Sequence, residues 1–390
     1  MDANPRYAYP IPPRELERRR RLVSQAMKKQ GIDCLVMQGD NLFQSGYVRY
    51  FTDMAVDTYR TTVLFSAKKE TLTIWHGGYL DPPIPPDFAN NGITRRKLVP
   101  YIQSMIGESE EQGKLAVEYI RDNRFKKIGL VGFGTLSAGF YKYLMQELGD
   151  IEMTDATELI DRIKAIKSAD EMAMIQKCVT LHDHMVSALP ALIYPGIDEF
   201  QIKAELKKMA IELGSETQNI RHGTGVKRVG MVDPFFNHRV VNAGDEMCVL
   251  VEVNGPGGFF GELARPGVLG KPSKELSKAY EAVLRVHELV AAALKPGVTA
   301  AELLRINNEY MTKNGYQPES RLLGHSQGYD MVERPVMFPT ETMAFEEGMF
   351  VAIHPTAWND KAMCYMCTNY IVTKDGAKML NAVPHGIQTI

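Results

Sequence analysis

Met247-Cys-Val-Leu-Val-Glu252-Val253 and, a few residues on, Gly258-Phe-Phe-Gly-Glu262-Leu-Ala-Arg265 each set one carboxylate inside an apolar run. Runs this short and this apolar read as β-strands. A carboxylate in such a strand is costly to bury without a partner. Glu252 has apolar neighbours on both faces, so a raised pKa and a role as general base or nucleophile are expected of it. Glu262 is expected across the sheet from it, as its partner or as the contact for a substrate cation.

Helix signals flank these strands. Ser168-Ala-Asp-Glu171 is a capping box that opens a helix running to about Leu189, and a second helix is expected at 198–213, closed by Gly214. Two more occupy about 274–294 and 300–314, the latter opened by Thr299 with Glu302 and closed by Gly315. Further strand-like segments lie at 349–354 and 366–373. The second part of the chain therefore holds two helix pairs, each followed by strands.

The first ~155 residues alternate helix and strand signals. A charged amphipathic helix spans 14–30, with short strands at 34–37, 61–65, 71–75 and 127–132 and helices at 97–106 and 137–148. Residues 151–167 read as a connection. The expected organisation is an α/β (α+β) chain with an N-terminal domain at 1–160 and a larger domain at 161–390.

Composition is that of a globular protein, 45% hydrophobic and 24% charged, and a net charge of −2 argues against a nucleic-acid surface. The Arg18–Arg21 run reads as the solvated face of the first helix. No apolar run approaches the ~20 residues needed to span a membrane, and the start lacks the apolar core of a signal peptide. Five sparse cysteines fit free thiols in a cytoplasmic protein.

A set of short motifs then resembles the superfamily of creatinase, aminopeptidase P and methionine aminopeptidase, with its "pita-bread" C-terminal domain. Ile166-Lys-Ser168 with Glu171 resembles that family's linker-to-helix entry, and Asn242-Ala-Gly-Asp245 its "GD" turn. Gly258 to Arg265 resembles "GYxxDxxR", Gly324-His325-Ser-Gln-Gly328 matches "GHxxG", Glu347 to Pro355 resembles "PGMVxxxEP", and Tyr370 to Gly376 resembles the closing strand. The matches run in the family's order over residues 164–376.

The metallopeptidases of this fold bind two ions through two Asp, one His and two Glu. By resemblance, the matching positions here are Glu252, Glu262, His325, His354 and Cys367, so only the His is kept. A dinuclear site is not expected. A single Zn²⁺ or Fe²⁺ on a remodelled set is one reading. The reading taken forward is metal-free, as in creatinase and ectoine hydrolase, which cleave a C–N bond without metal. The stretch His354-Pro-Thr-Ala-Trp358 resembles the latter.

The expected activity is therefore hydrolysis of a non-peptide C–N bond (amide, amidine or urea-like) in a small zwitterion. Glu252, His354 and His325 are the catalytic candidates. Glu262, His222, Arg60, Arg265, Cys367 and Trp358 are the substrate-binding candidates; the two arginines suit a substrate carboxylate. The family's other catalytic His falls at Asp233, with His238 close by but out of register. Cys364-Tyr-Met-Cys367 is a lone CxxC and is taken as incidental. A metal-dependent Xaa-Pro peptidase, a lyase of sulfonium zwitterions and a non-catalytic binding module are the alternatives. The resemblance also implies a homodimer.

Overall fold

The computed structural model describes residues 10–56, 59–77, 93–100, 108–225 and 239–390. Asp233 and His238 lie outside the described residues. Two compact units divide the chain, Pro10–Lys164 and Ala165–Ile390.

The N-terminal unit opens with α1 (Pro13–Gln30), which Gly31 ends at a left-handed φ of 66°. Next come β1 (Cys34–Gly39), α2 (Gly46–Thr52), β2 (Thr61–Ser66), β3 (Thr71–Gly77) and β4 (Arg95–Pro100). The unit closes with α3 (Glu108–Asp122), β5 (Lys127–Val131), α4 (Ala138–Glu147), β6 (Glu152–Asp155) and α5 (Thr157–Ala165). Its sheet runs in the order β4-β3-β2-β1-β5-β6. Two expectations change here. Residues 97–100 belong to β4 rather than to a helix, because they pair in parallel with β3, and Arg96 lies over the Trp75 ring, 4.1 Å from its centroid. The stretch 151–167 is no plain connection: β6 pairs with β5, and α5 follows. Within the arginine run, Arg19 is fully buried rather than solvated. Glu15 takes its Nε at 2.9 Å and the Tyr50 carbonyl takes its Nη1 at 3.2 Å.

The C-terminal unit has two halves. The first comprises α6 (Ala169–Leu192), α7 (Glu199–Glu212), β7 (Gln218–Thr224), β8 (Glu246–Val253) and β9 (Leu263–Val268). The second begins with α8 (Lys274–Ala293) and α9 (Ala300–Lys313), followed by β10 (Gly324–Ser326), β11 (Glu333–Val336) and β12 (Phe350–Ile353). The hairpin β13 (Thr356–Trp358) and β14 (Met363–Tyr365) leads to β15 (Thr368–Thr373), β16 (Gly376–Met379) and β17 (Gln388–Thr389). Both sequence-read capping boxes form. Glu171 N–H donates to Ser168 Oγ at 3.1 Å, and Glu302 N–H donates to Thr299 Oγ1 at 3.3 Å. Each satisfies a backbone donor that the first helical turn leaves open.

One sheet has the order β17-β9-β8-β7 and the other β11-β10-β12-β15-β16. Helices α6 and α7 bury Met185, Leu189, Ile202 and Leu206 against Val249, Val251 and Leu263 of the first sheet. Helices α8 and α9 do the same for Val351 and Ile353 of the second, through Val283, Val286 and Leu303. The Ala264↔Cys367 bridge joins the two sheets, with Cys367 N–H donating to the Ala264 carbonyl at 3.1 Å. Cys248, Leu250, Ala264, Ala352, Tyr365 and Cys367 form a small apolar cluster of their own on strands of both halves. No described helix is long and apolar enough to cross a membrane. All five cysteines are free and buried.

Candidate active site

Strand register places the two carboxylates. On β8 and β9, Val251 pairs with Leu263, and the same antiparallel register resumes at Asn254 and Phe260. Continuity between those pairs sets Glu252 opposite Glu262. Both are buried, 6% and 2% exposed. The second half supplies two imidazoles by the same device. His325 on β10 pairs with Ala352 of β12, and His354 N–H donates to the Leu323 carbonyl at 2.9 Å just past the end of β12. The two rings lie 5.3 Å apart, centroid to centroid. The glycines flanking His325 serve this packing. A Cβ on Gly324 would collide with the Ala352 carbonyl, and one on Gly328 with the Glu333 carboxylate.

All four side chains line one cleft of about 590 Å³ within the C-terminal unit. That volume suits a small molecule. Glu262 Oε1 accepts a hydrogen bond from the Tyr365 hydroxyl at 2.6 Å. Its Oε2 lies 3.3 Å from His325 Nε2, out of line for a hydrogen bond, and no other donor reaches it. Nδ1 of His325 faces the Ser326 carbonyl at 3.0 Å, which turns Nε2 toward Glu262. His354 Nδ1 is buried with no hydrogen-bond partner. Glu252 Oε2 accepts from Asn219 Nδ2 at 2.6 Å.

These contacts set opposite protonation tendencies. Burial pushes the Glu252 carboxyl well up, and the nearby Glu262 charge pushes it further. Burial also works against an ionised Glu262, but the two imidazoles and the Tyr365 hydroxyl outweigh it, so that carboxyl is held low. Burial lowers His354 to about 4, so its ring is neutral at pH 7. His325 moves up despite its burial, because Glu262 and Glu252 favour its charged form. At neutral pH the site is therefore an ionised Glu262 against His325, with a protonated Glu252 and a neutral His354 beside them.

A metal fits part of this set. Ligand-type atoms of Glu262, His325 and His354 lie within 4.8 Å of one another, all buried. Two of these side chains carry the unpartnered buried atoms, Glu262 Oε2 and His354 Nδ1. Buried polar atoms without partners are rare in native folds, and both belong to side chains of this trio. Two histidines and a carboxylate suit a single Zn²⁺ or Fe²⁺. A pair of ions does not fit. Glu252 stands outside the group, and the Cys367 Sγ faces the Glu262 backbone carbonyl at 3.6 Å as a thiol that burial keeps protonated.

Other sequence candidates fall elsewhere. His222 is buried on β7, but alternation along the strand puts Asn219 and Arg221 on the cleft side and His222 on the side of the core residue Ile220. Arg265 is no carboxylate clamp. Its guanidinium donates to the carbonyls of Ala264, Cys367, Val383 and Pro384 and to Thr368 Oγ1. Arg60 belongs to the N-terminal unit, where Asp40 takes its Nε at 2.5 Å and its Nη2 at 2.9 Å. Cys367 is absent from the cleft lining, whereas Trp358 is part of it. Sequence reading missed Asn219 and Tyr365. Tyr365 sits inside the CxxC set aside as incidental, and its signal is the alternation along β14, where Cys364 packs into the helix-side core.

The model of metallopeptidase family M24 matches residues 173–378, more than half of the chain. The chain belongs to metallopeptidase family M24. Among its relatives, an Xaa-Pro dipeptidase from Pyrococcus horikoshii is 24% identical over 300 residues, covering 74% of this chain and 85% of the relative. An uncharacterized peptidase, YqhT, from Bacillus subtilis is 22% identical over 57% of this chain, and the match spans 63% of that relative's length. The X-Pro aminopeptidase structure from Thermotoga maritima superposes with a TM-score of 0.80 at 18% identity, covering 95% of this chain and 99% of that one. The prolidase structure from Pyrococcus horikoshii gives 0.76 at 19% identity, covering 95% and 99%. At these identities the structures establish the shared M24 fold.

Proposed function

We propose that this protein is a hydrolase of a peptide-type C–N bond in a small molecule, working with one divalent ion held by Glu262, His325 and His354. The observation that carries it is the buried trio whose ligand atoms lie within 4.8 Å of one another in the cleft that also holds Glu252. The relatives named as Xaa-Pro peptidases favour a peptide-type bond over a creatine-like one. The single-ion reading is preferred to the metal-free one because the buried trio offers a ligand set and the matching family is one of metallopeptidases.

When bound, the ion supplies Lewis-acid polarisation of the carbonyl and of water. The chain's own groups do the rest. Glu252 is the proton carrier. Asn219 occupies its Oε2, so in the ionised fraction of Glu252 it is Oε1 that takes the proton from the attacking water and then gives it to the leaving nitrogen. A carboxyl whose pKa is raised toward the working pH suits both transfers. The Ser326 carbonyl holds Nδ1 of His325 and so leaves Nε2 free to hold the ion, were it bound. Tyr365 orients Glu262 through its 2.6 Å hydrogen bond.

The test is an assay of the purified full chain on alanyl-proline and on a panel of small amides, with added Zn²⁺, Fe²⁺, Mn²⁺ or Co²⁺. Cleavage that chelation abolishes and Glu252→Gln cripples is expected. Cleavage untouched by chelation would restore the metal-free reading, and cleavage untouched by Glu252→Gln would remove Glu252 from the chemistry.

A further inference from the structure

Beside the ligand trio, one buried group of the cleft has no task in the fold. His354, Thr356 and Trp358 all line the cleft, two residues apart. Thr356 is 6% exposed, as buried as His354, whereas Trp358 is 47% exposed. Thr356 pairs directly with Tyr365 across the β13–β14 hairpin. Directly opposed residues of an antiparallel pair put their side chains on one face, about 5 Å apart at Cβ. The Thr356 side chain therefore stands next to that of Tyr365. The Tyr365 ring in turn stacks on His354, 5.9 Å between centroids, and its hydroxyl reaches Glu262 at 2.6 Å.

The other hydroxyl and amide donors that line the cleft are accounted for. Asn219 gives Nδ2 to Glu252, and Tyr365 gives its hydroxyl to Glu262. Ser320 is exposed to solvent. Thr356 Oγ1 is buried with no hydrogen-bond partner. Native folds seldom leave a hydroxyl so. Burying it unmatched costs stability that valine, of nearly the same shape, would not lose. A polar atom kept at that cost in the wall of a cleft points to a ligand. We propose that Thr356 is a catalytic residue whose hydroxyl donates to the oxygen of the scissile carbonyl as that oxygen takes on negative charge. The inference deepens the hydrolase reading and rests on it for the reaction.

The chemistry calls for a neutral donor there. An oxyanion forming near the ionised Glu262 is repelled, and a donor with an uncommitted proton offsets that. When the water oxygen bonds to the carbonyl carbon, the C=O π pair moves onto the carbonyl oxygen, where the Thr356 O–H meets it. The hydroxyl keeps its proton throughout. When the pair returns, the C–N bond breaks and the leaving nitrogen takes its proton from Glu252. A donor fixed before the charge forms needs no reorganisation, and it favours the oxyanion over the ground-state carbonyl. Thr356 is fixed in this way, by a β-branched side chain with restricted χ1 on a paired strand.

Thr356→Val and Thr356→Ser in the full chain separate this role from packing. Without ligand, Thr356→Val is expected to raise Tm by about 2–4 °C, because an unmatched buried hydroxyl becomes a methyl. On alanyl-proline its kcat is expected to fall by about 10²-fold, with KM within about twofold. Thr356→Ser, which keeps the hydroxyl, is expected to retain kcat within about threefold. A phosphinic analogue of alanyl-proline, whose tetrahedral P–O group copies the adduct, reads the same contact without turnover. By calorimetry Thr356→Val is expected to bind it at least about tenfold more weakly than the unaltered protein does. A lower Tm in Thr356→Val, an unchanged kcat, a loss that Thr356→Ser shares, or equal affinity for the analogue would each overturn the inference. If the unaltered protein cleaves nothing, the hydrolase reading falls and the analogue still decides. Affinity that needs the hydroxyl then leaves Thr356 as the donor, and no binding of the analogue removes it.

Discussion

The two halves of the C-terminal unit are built alike and deliver different chemistry. Each lays a helix pair over a sheet, and each places two site residues on, or at the end of, nearby strands. The first half contributes carboxylates, Glu252 and Glu262; the second contributes imidazoles, His325 and His354. Each half also braces its site strand with a buried helix histidine. His182 of α6 accepts from Val253 N–H at 3.3 Å, one residue past Glu252. His287 of α8 meets the Ile353 carbonyl at 3.1 Å, one residue before His354. Similar scaffolding with unlike donors gives an asymmetric site: an acid–base carboxyl on one wall and a ligand trio shared by both.

The largest expected effect breaks the carboxylate half. Glu252→Gln keeps the shape and the Asn219 contact but removes the moving proton, and kcat is expected to fall by about 10²- to 10⁴-fold. Steady-state kinetics on any cleaved substrate check this, with metal content unchanged. A loss confined to KM would make Glu252 a binding residue instead.

Acid should next expose the brace behind that half. His182 Nδ1 faces the Cys178 carbonyl at 2.7 Å while Nε2 accepts a backbone N–H, an arrangement that only the neutral ring satisfies. Burial lowers its pKa from 6.5 to about 4. Between those values the unfolded chain binds the proton and the folded one does not, so stability falls as pH drops from 6.5 to 4 and levels off below. The loss from this group is about 3 kcal/mol. Thermal melts of His182→Gln across that range are expected to flatten relative to the unaltered protein; an unchanged slope would assign the acid lability to other groups.

Much of this comparison is legible in the chain itself. Glu252 and Glu262 stand out as acids in apolar runs, and the capping boxes at Ser168 and Thr299 mark the two helix pairs. What stays hidden depends on partners distant in sequence. Arg265 looks like a clamp until Val383 and Pro384 arrive to accept its protons. His222 looks nearer the substrate than Arg221 until β7 pairs with β8 and sets which side faces the cleft. Tyr365 looks incidental until the β13–β14 hairpin aims its hydroxyl at Glu262.

Tyr365→Phe gives the smallest effect and sharpens the role of that hydroxyl. Removing its hydrogen bond to a ligand carboxylate is expected to weaken metal affinity by about 10- to 100-fold without unfolding the protein. Competition against a chelator of known affinity reads this directly, and an unchanged affinity would leave Tyr365 as packing alone.

The most direct measurement is metal content per chain, by elemental analysis of purified protein after saturation with Zn²⁺ or Fe²⁺ and removal of the excess. One ion per chain in the unaltered protein, retained in Glu252→Gln and lost in His354→Ala, is the predicted result. Two ions per chain, or one that His354→Ala still holds, would contradict the account.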